Sequence, residues 1–344
     1  MYWGLRNNLP AGTVVDPKGG VSIHVGVPYG VKGWFEGQYR TVFTMWETDE
    51  LPLRFRKWIN QFDRVLVPCS HNREVFAEHH PDVMAVPLGV DHSVWSPGSD
   101  PSGPFRFAAG GSLWKRKGLD ILLEAFNKLG LRDAELHIKA APHAQDVPKR
   151  GFGDNVFLHR QWMSLFEQVA WFRQAHCFVA PARGEGWGLI PLQAIAAGVP
   201  TILSETSGQR EFTDVATLTV PVVKKPAETV GCWEEASVDD VADAMLAVYN
   251  DWVGFRGKAL KNAVKSKKYS WEKAAKRLVL ALPKKDVVDT DRWVQPNVEW
   301  QVRCLRPVKA DINNRRWVMT AGGEYVVPDG VFQVLSDSKA VEAV

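Results

Sequence analysis

The chain has 344 residues, enough for two domains that each bury a core of their own. Its hydrophobic and charged fractions, 45% and 24%, are those of an ordinary globular protein, and no run of eighteen apolar residues offers a membrane span. A net charge of +3 excludes a chain that is strongly basic or acidic as a whole, and MYWGLRNNLPAG lacks the pattern of a secretory leader. Cys69, Cys177, Cys232 and Cys304 show no C-x-x-C and no histidine at zinc-ligand spacing, so they read as reduced thiols of a cytoplasmic protein and no metal site is expected.

Residues 1–20 are rich in Gly, Pro and Asn and predict no firm element. Strands are predicted at VSIHVGV (21–27), RTVFTMW (40–46), RVLVPC (64–69) and VMAVPL (83–88). LRFRKWINQF (53–62) has a helical period, as does NREVFAEHH (72–80), which is entered through Ser70 as its cap. Strands alternating with helices imply a parallel sheet in this half. PGSDPSGP then reads as a linker, placing a domain boundary near residue 100.

The second half opens on the strand FRFAAGG, the loop SLWKRKG and the helix LDILLEAFNKLG, an order that suits a phosphate-cradling turn. AELHIKA and NVFLHR supply further strands, and MSLFEQVAWFRQA a helix. CFVAPARGEGWGLIPLQAIAAGVPTIL (177–203) is the most informative stretch, reading as buried strand, glycine turn, helix and second strand. A helix that starts straight after such a turn offers the N–H groups of Gly186, Trp187, Gly188 and Leu189 to an anion. Helices are expected at 237–251, 255–267 and within YSWEKAAKRLVLAL (269–282). In the tail, RRWVMTAGGEYVVPDGVFQVL reads as a hairpin around Gly322-Gly323 with a second turn at Pro328-Asp329-Gly330, hence a small β-rich appendage.

EGWGLIPLQAIAAGVPTI resembles the signature of the nucleotide-sugar-dependent glycosyltransferases of family 4, which have the GT-B fold. The resemblance extends in ordered segments over roughly residues 40–282, including MWETDELP, VPCSHNREVF and PLGVDHSVWSP. It implies an α/β protein of two Rossmann-like domains facing each other across a cleft: a shortened acceptor domain at 1–100, a donor domain at 101–285, and the tail at 286–344. The family's opening strand and glycine-rich loop have no counterpart before residue 20. The tail faintly resembles short modules of bacteriophage proteins.

By the same resemblance, Glu185 matches the first of the family's two glutamates and would hold the transferred sugar. Gln193 stands at the second, where a carbonyl oxygen replaces the carboxylate that accepts hydrogen bonds from the ribose. Lys117 matches the family's lysine, whereas Ser112 occupies the position of its arginine, leaving Arg116 or Lys115 to supply that cation. The donor diphosphate is expected against Gly110, Gly111, Lys117 and the turn at Gly186, with the loop from His159 to Trp162 beside the base. The implied activity is retaining hexosyl transfer without a metal or other cofactor, the nucleotide sugar being a co-substrate. Asp289-Thr290-Asp291 spells the D-x-D of another transferase class and reads as chance.

Acceptor-side candidates are His24, Trp46, Glu47, Asp49 and Glu211; His24 is equally well a satisfied core histidine. From Arg256 to Lys285 eleven cations face the single acid Glu272, and the chain holds fifteen tryptophans. The basic stretch and the shortened first domain suit a macromolecular acceptor such as hydroxymethylated DNA, with the tryptophans as stacking sites, although a solvated basic helix with a glycan, lipid-linked sugar or protein acceptor explains the basic stretch as well. The competing class is a sugar- or nucleotide-binding protein that kept the fold without catalysis, which Gln193 and Ser112 would favour and Glu185 with Lys117 oppose. A GT-B hydrolase or epimerase has no specific residue in its support.

Overall fold

The computed structural model describes residues 18–111, 114–142, 144, 152–285, 292–313 and 315–344. The expectations for residues 1–17, Ser112 and Asp289-Thr290-Asp291 lie outside the described residues. A parallel sheet is built from β1 (Val21–Val25), β3 (Tyr39–Phe43), β4 (Arg64–Val67) and β5 (Val83–Ala85), in that order, with Val21 opposite Tyr39, Thr41 opposite Arg64 and Val65 opposite Val83. The short β2 (Trp34–Phe35) precedes β3. Helices α1 (Leu53–Ile59) and α2 (Ser70–Ala77) bury Phe55, Trp58, Ile59, Val75 and Phe76. The cap of α2 differs from the expectation: Cys69 Sγ, not the Ser70 hydroxyl, accepts from the Asn72 N–H, so Ser70 becomes the first helical residue.

The second sheet is also parallel and holds β6 (Phe105–Gly110), β7 (Ala134–Lys139), β8 (Val156–His159), β9 (Cys177–Ala180), β10 (Thr201–Ser204) and β11 (Leu218–Val220). Its order is β11-β10-β9-β6-β7-β8, so the chain builds outward from β6 one way and returns to build from β9 the other way. Cys177 and Phe178 on β9, and every residue of β10, are buried because helices cover both faces of the sheet. Those helices are α3 (Leu119–Leu129), α4 (Leu165–Arg173), α5 (Leu189–Ala196) and α6 (Val238–Asn250). At the start of α4, Ser164 and Glu167 cap each other's backbone N–H groups reciprocally. An antiparallel hairpin, β12 (Val223–Pro226) with β13 (Cys232–Glu235), leaves this sheet after β11.

Two further helices, α7 (Trp252–Lys265) and α8 (Trp271–Ala281), close the second half. The chain around α8 returns to the first half: just before the helix Tyr269 O accepts from Val90 N–H at 2.9 Å, and at its end Ala281 O accepts from the Arg64 guanidinium on β4. No helix among the described residues is long and apolar enough to cross a membrane.

The tail is not purely β, and its strands pair differently from the expectation. β14 (Trp293–Val294) pairs with β2, while β15 (Glu299–Cys304) lies between β18 (Glu324–Pro328) and β19 (Val341–Ala343). β16 (Val308–Ile312) pairs with β17 (Arg315–Met319), so the segments flanking Gly322-Gly323 do not form a hairpin with each other. Gly322 N–H and Gly323 O instead close onto Cys304. The expected second turn is the start of helix α9 (Asp329–Asp337): Pro328 has φ −61° and Asp329 sits in the first turn, where the helix dipole favours an acid. This tail docks on α1 through the Arg54–Asp329 ion pair at 2.7 Å and through Lys57 Nζ, 4.1 Å from the Trp300 ring centroid.

Candidate functional site

In an open parallel sheet, ligands bind beyond the carboxyl ends of the strands where the strand order reverses, here between β6 and β9. The loop after β6 brings Lys115, Arg116 and Lys117 to this point, and the loop after β9 brings Gly184, Glu185 and Gly186. Arg183, 5% exposed, ties the two loops together: its N–H donates to Arg116 O, and its guanidinium donates to Lys115 O and pairs with Asp120 at 2.7 Å. Nothing in the sequence marks Arg183; a buried arginine next to the glycine turn becomes visible only with Asp120 beside it.

Lys117 Nζ donates to Glu185 Oε1, and Arg116 Nη1 lies 3.5 Å from the other oxygen of that carboxylate and 3.7 Å from Glu47 Oε1. Burial alone would push the Glu185 carboxyl up, but Lys117 and then Arg116 hold it below the usual range, so it is ionised at neutral pH. Glu47 behaves oppositely. Burial raises it, and Arg116 only partly offsets that rise. Two carboxylates and two cations therefore form one network in which the charges on Glu185 are matched and Glu47 is the more basic oxygen donor. Lys115, the alternative for the missing cation, points elsewhere and pairs with Asp120 at 3.1 Å.

The glycine turn is not open on all sides. Gly188, at φ +99°, precedes α5 and adopts a conformation that other residues resist. A Cβ at Gly186 would lie 2.5 Å from Met45 Sδ, and Cys69 Sγ donates to Gly186 O at 3.3 Å, so the ends of β3 and β4 roof the turn. Trp187 is 2% exposed and packs edge-on against Phe212 and Tyr269, so its side chain belongs to the core. Leu189 is half-buried against the same core.

Among the described residues, two cavities border the network. The first, of about 200 Å³, is lined by Gly110, Gly111, Lys139, Trp162, Trp171 and Gln193 among others. Its Gly111 packs against the Lys117 side chain, so the network begins at its wall. Gly110, Gly111 and Gln193 are thus brought together, and Trp162 joins them, while His159 is set back, hydrogen-bonded to His137 at 2.9 Å. The second cavity, of about 340 Å³, shares no lining residue with the first. Glu47 and Ser207 belong to its lining, and Ser207 Oγ accepts from the Glu185 N–H at 2.8 Å. Asp49 also lines it, paired with Lys224 at 3.1 Å and accepting from Cys232 N–H at 2.6 Å.

The other acceptor-side candidates are not gathered here. His24 Nε2 lies 2.9 Å from Val27 O, and its ring stacks on Phe62, away from both cavities. Trp46 donates to Thr48 Oγ1 and packs on Phe55. Glu211 accepts from Ser70 N–H at 2.7 Å and so links the start of α2 to the second half without entering either cavity. Among the described residues no group of three or more His, Cys, Asp or Glu is placed to hold a metal ion.

Residues 104–251 match the family model described as Glycosyl transferases group 1. Among curated proteins, a D-inositol 3-phosphate glycosyltransferase of Arthrobacter sp. (strain FB24) is 27% identical over 218 residues, covering 57% of this chain and 48% of the relative. A lipopolysaccharide core biosynthesis mannosyltransferase, LpcC of Rhizobium leguminosarum bv. viciae, is 25% identical over 246 residues, covering 58% and 68%. The chain therefore spans about half the length of the first of these relatives. Among solved structures, TarM superposes with a TM-score of 0.59 at 15% identity, covering 77% of this chain and 55% of TarM. The sucrose-phosphate synthase of Thermosynechococcus elongatus superposes with a TM-score of 0.58 at 16% identity, covering 71% and 67%. Residues 104–251 are thus similar to the group 1 glycosyltransferases, and the parallel-sheet α/β fold of the chain matches that of GT-B structures.

Proposed function

We propose that the protein transfers a glycosyl group from a nucleotide sugar to a hydroxyl acceptor with retention of anomeric configuration. The observation that carries this reading is the Lys117–Glu185–Arg116 network at the strand-order reversal, beside a cavity lined by Gly110, Gly111 and Gln193. In this reading the nucleotide occupies that cavity, its ribose hydroxyls donate to the Gln193 carbonyl, and Trp162 offers a ring beside the base. The diphosphate approaches Gly110, Gly111 and Lys117, and Glu185 accepts hydrogen bonds from the sugar hydroxyls.

The acceptor oxygen bonds to the anomeric carbon as the bond from that carbon to the diphosphate oxygen breaks. The electron pair leaves with the nucleoside diphosphate, which also takes the acceptor's proton. Retention without a protein nucleophile requires both events on one face of the sugar. The charge that develops on the departing diphosphate is met by cations already held in place, which is where such sites lower a barrier most. Since Lys117 and Arg116 perform that service in this reading, no metal takes part and turnover persists in EDTA.

The acceptor classes open to this site are a glycan, a lipid-linked sugar, a protein side chain and a hydroxymethylated base in DNA. The basic stretch that speaks for DNA is partly engaged inside the protein. Arg256 is buried on Gly198 O and Asp100, Lys258 donates to Thr217 O, Lys268 pairs with Asp214, and Lys285 donates to Gly37 O. The replacement of a carboxylate by Gln193 keeps a second reading in view, a nucleotide- or sugar-binding protein without turnover. One experiment decides between them: incubation with a panel of nucleotide sugars, with and without acceptors, and assay of nucleoside diphosphate release. Release that depends on one donor supports transfer; binding of that donor without release supports the second reading.

A further inference from the structure

We propose that the second cavity, walled by Glu47, Trp233, Glu74 and Glu78, is the acceptor subsite and takes a neutral, polyhydroxylated ring rather than a phosphorylated or otherwise anionic acceptor. This inference rests on the transferase reading and adds the substrate class. Position is the first argument. Glu47 reaches from this cavity to Arg116, which in turn touches Glu185, and Ser207 on the same wall holds the Glu185 backbone. A hydroxyl bound to Glu47 therefore lies at one end of the contact chain whose other end, Lys117 against Gly111, borders the cavity assigned to the nucleotide.

Charge is the second argument. Five carboxylates line the cavity, from Glu47, Asp49, Glu74, Glu78 and Glu234, against three cations, from Arg183, Arg210 and Lys224, a formal balance of −2. The cations are already committed: Arg183 to Asp120 and Glu235, Arg210 to Glu234, and Lys224 to Asp49. Glu74 on α2 and Glu78 just after its end, both exposed and one helical turn apart, have no ion-pair partner among the described residues. An anionic acceptor would meet like charge with no spare cation to receive it. Sugar hydroxyls, by contrast, donate to ionised carboxylates in charge-assisted hydrogen bonds.

Shape is the third. Trp233, on β13 of the hairpin, gives this polar cavity an aromatic wall, and the Arg183 guanidinium lies 5.6 Å from the indole ring centroid and steadies it. A flat aromatic surface beside hydrogen-bonding carboxylates suits a ring that is apolar on its faces and polar at its rim. The hairpin is also tied to the first half through Asp49, so the cavity is lined from both halves of the chain.

The test is ligand-observed saturation-transfer NMR with methyl α-mannoside, methyl α-glucoside and myo-inositol, each compared with its phosphate. The neutral probes should bind, with the phosphates about tenfold weaker or more. Trp233→Ala should weaken the neutral probes by about tenfold, whereas Gln193→Leu, in the other cavity, should leave them unchanged. Because Trp233→Ala removes a half-buried ring, Glu74→Lys with Glu78→Lys, both exposed, provides a second reading and should reverse the preference toward the phosphates. Tighter binding of phosphates to the wild type, neutral signals that survive Trp233→Ala, or no signal from any probe at about 10 mM would overturn the assignment. Nucleoside diphosphate release, measured on the same preparations, separates the two ideas. Neutral probes that bind as expected to a protein releasing no diphosphate from any donor overturn the transferase reading and leave the cavity's ligand class standing.

Discussion

Gly184 and Glu47 are in backbone contact: a Cβ placed on Gly184 would overlap the Glu47 carbonyl oxygen and lie 3.3 Å from the Glu47 side chain. The two residues come from the ends of β9 and β3, so this contact sets how closely the second sheet's glycine turn approaches the first sheet. Gly184→Ala should push the strand ends apart, costing about 1–3 kcal/mol in stability and displacing Glu47 from Arg116. A thermal melt together with transfer kinetics checks this, and unchanged values in both would show that the approach is looser than the contact implies.

Removing Glu185 or Lys117 acts on chemistry and on stability together, because the pair is buried and breaking it leaves one charge uncompensated. Glu185→Gln and Lys117→Met are each expected to lower turnover about a hundredfold or more. Alanine at either position should in addition cost about 3–5 kcal/mol of stability. Denaturant titration beside kinetics distinguishes the two effects, and near-normal turnover in a folded Glu185→Gln protein would remove this network from the mechanism.

Gln193 faces the cavity assigned to the nucleotide and is half-buried. Gln193→Glu should preserve or tighten nucleotide binding, since a carboxylate accepts the same hydrogen bonds. Gln193→Leu should weaken it by about 1–3 kcal/mol, the cost of leaving the ribose hydroxyls unpaired. Calorimetry with nucleoside diphosphates reads the difference, and equal affinities for leucine and glutamine would place the ribose elsewhere.

Five histidines, His71, His92, His137, His159 and His176, are each held below the ordinary imidazole range, first of all by burial. The folded protein therefore keeps them neutral while the unfolded chain takes up protons near pH ~6.5. Their contribution to stability is complete above that value and is lost as the pH falls toward their folded-state values, at up to about 1.4 kcal/mol per pH unit for each. The urea midpoint should fall between about pH 7.5 and 5.5, with a shallower fall in His137→Gln. A flat profile would mean that these imidazoles titrate alike in both states.

The basic stretch makes a separate prediction. If it binds DNA, the interaction should weaken steeply between about 50 and 200 mM salt, and changing Lys265, Lys267 and Lys268 together to Glu should abolish it. Lys268 already pairs with Asp214 at 2.6 Å, and the second cavity is acid-lined, so the expected outcome is little binding even at low salt. Tight, salt-sensitive binding of duplex DNA by the wild type, lost in the triple variant, would restore a nucleic-acid acceptor.

Local pattern was sufficient for most of the scaffold. Apolar runs such as CFVA and TILS form buried parallel strands in any alternating arrangement, and the helical period of LDILLEAFNKL and the glycine turn before α5 act within a few residues. The same locality misled in the tail, where Gly322-Gly323 looked like a hairpin because the pairing of β18 with β15 spans more than twenty residues and leaves no local mark. The site divides along the same line. Glu185, Lys117 and Gln193 stand out from their neighbours in the chain, but the pairing of Lys117 with Glu185 joins residues 68 positions apart. Only the folded chain could place Glu47 beside Arg116, sink Trp187 into the core, set His24 aside, and assemble the second cavity from α2, the loop after β3 and the hairpin that carries Trp233. Burial and charge pairing are sums over neighbours distant in sequence, and they decide which carboxylate is matched, which is raised, and which cations face them.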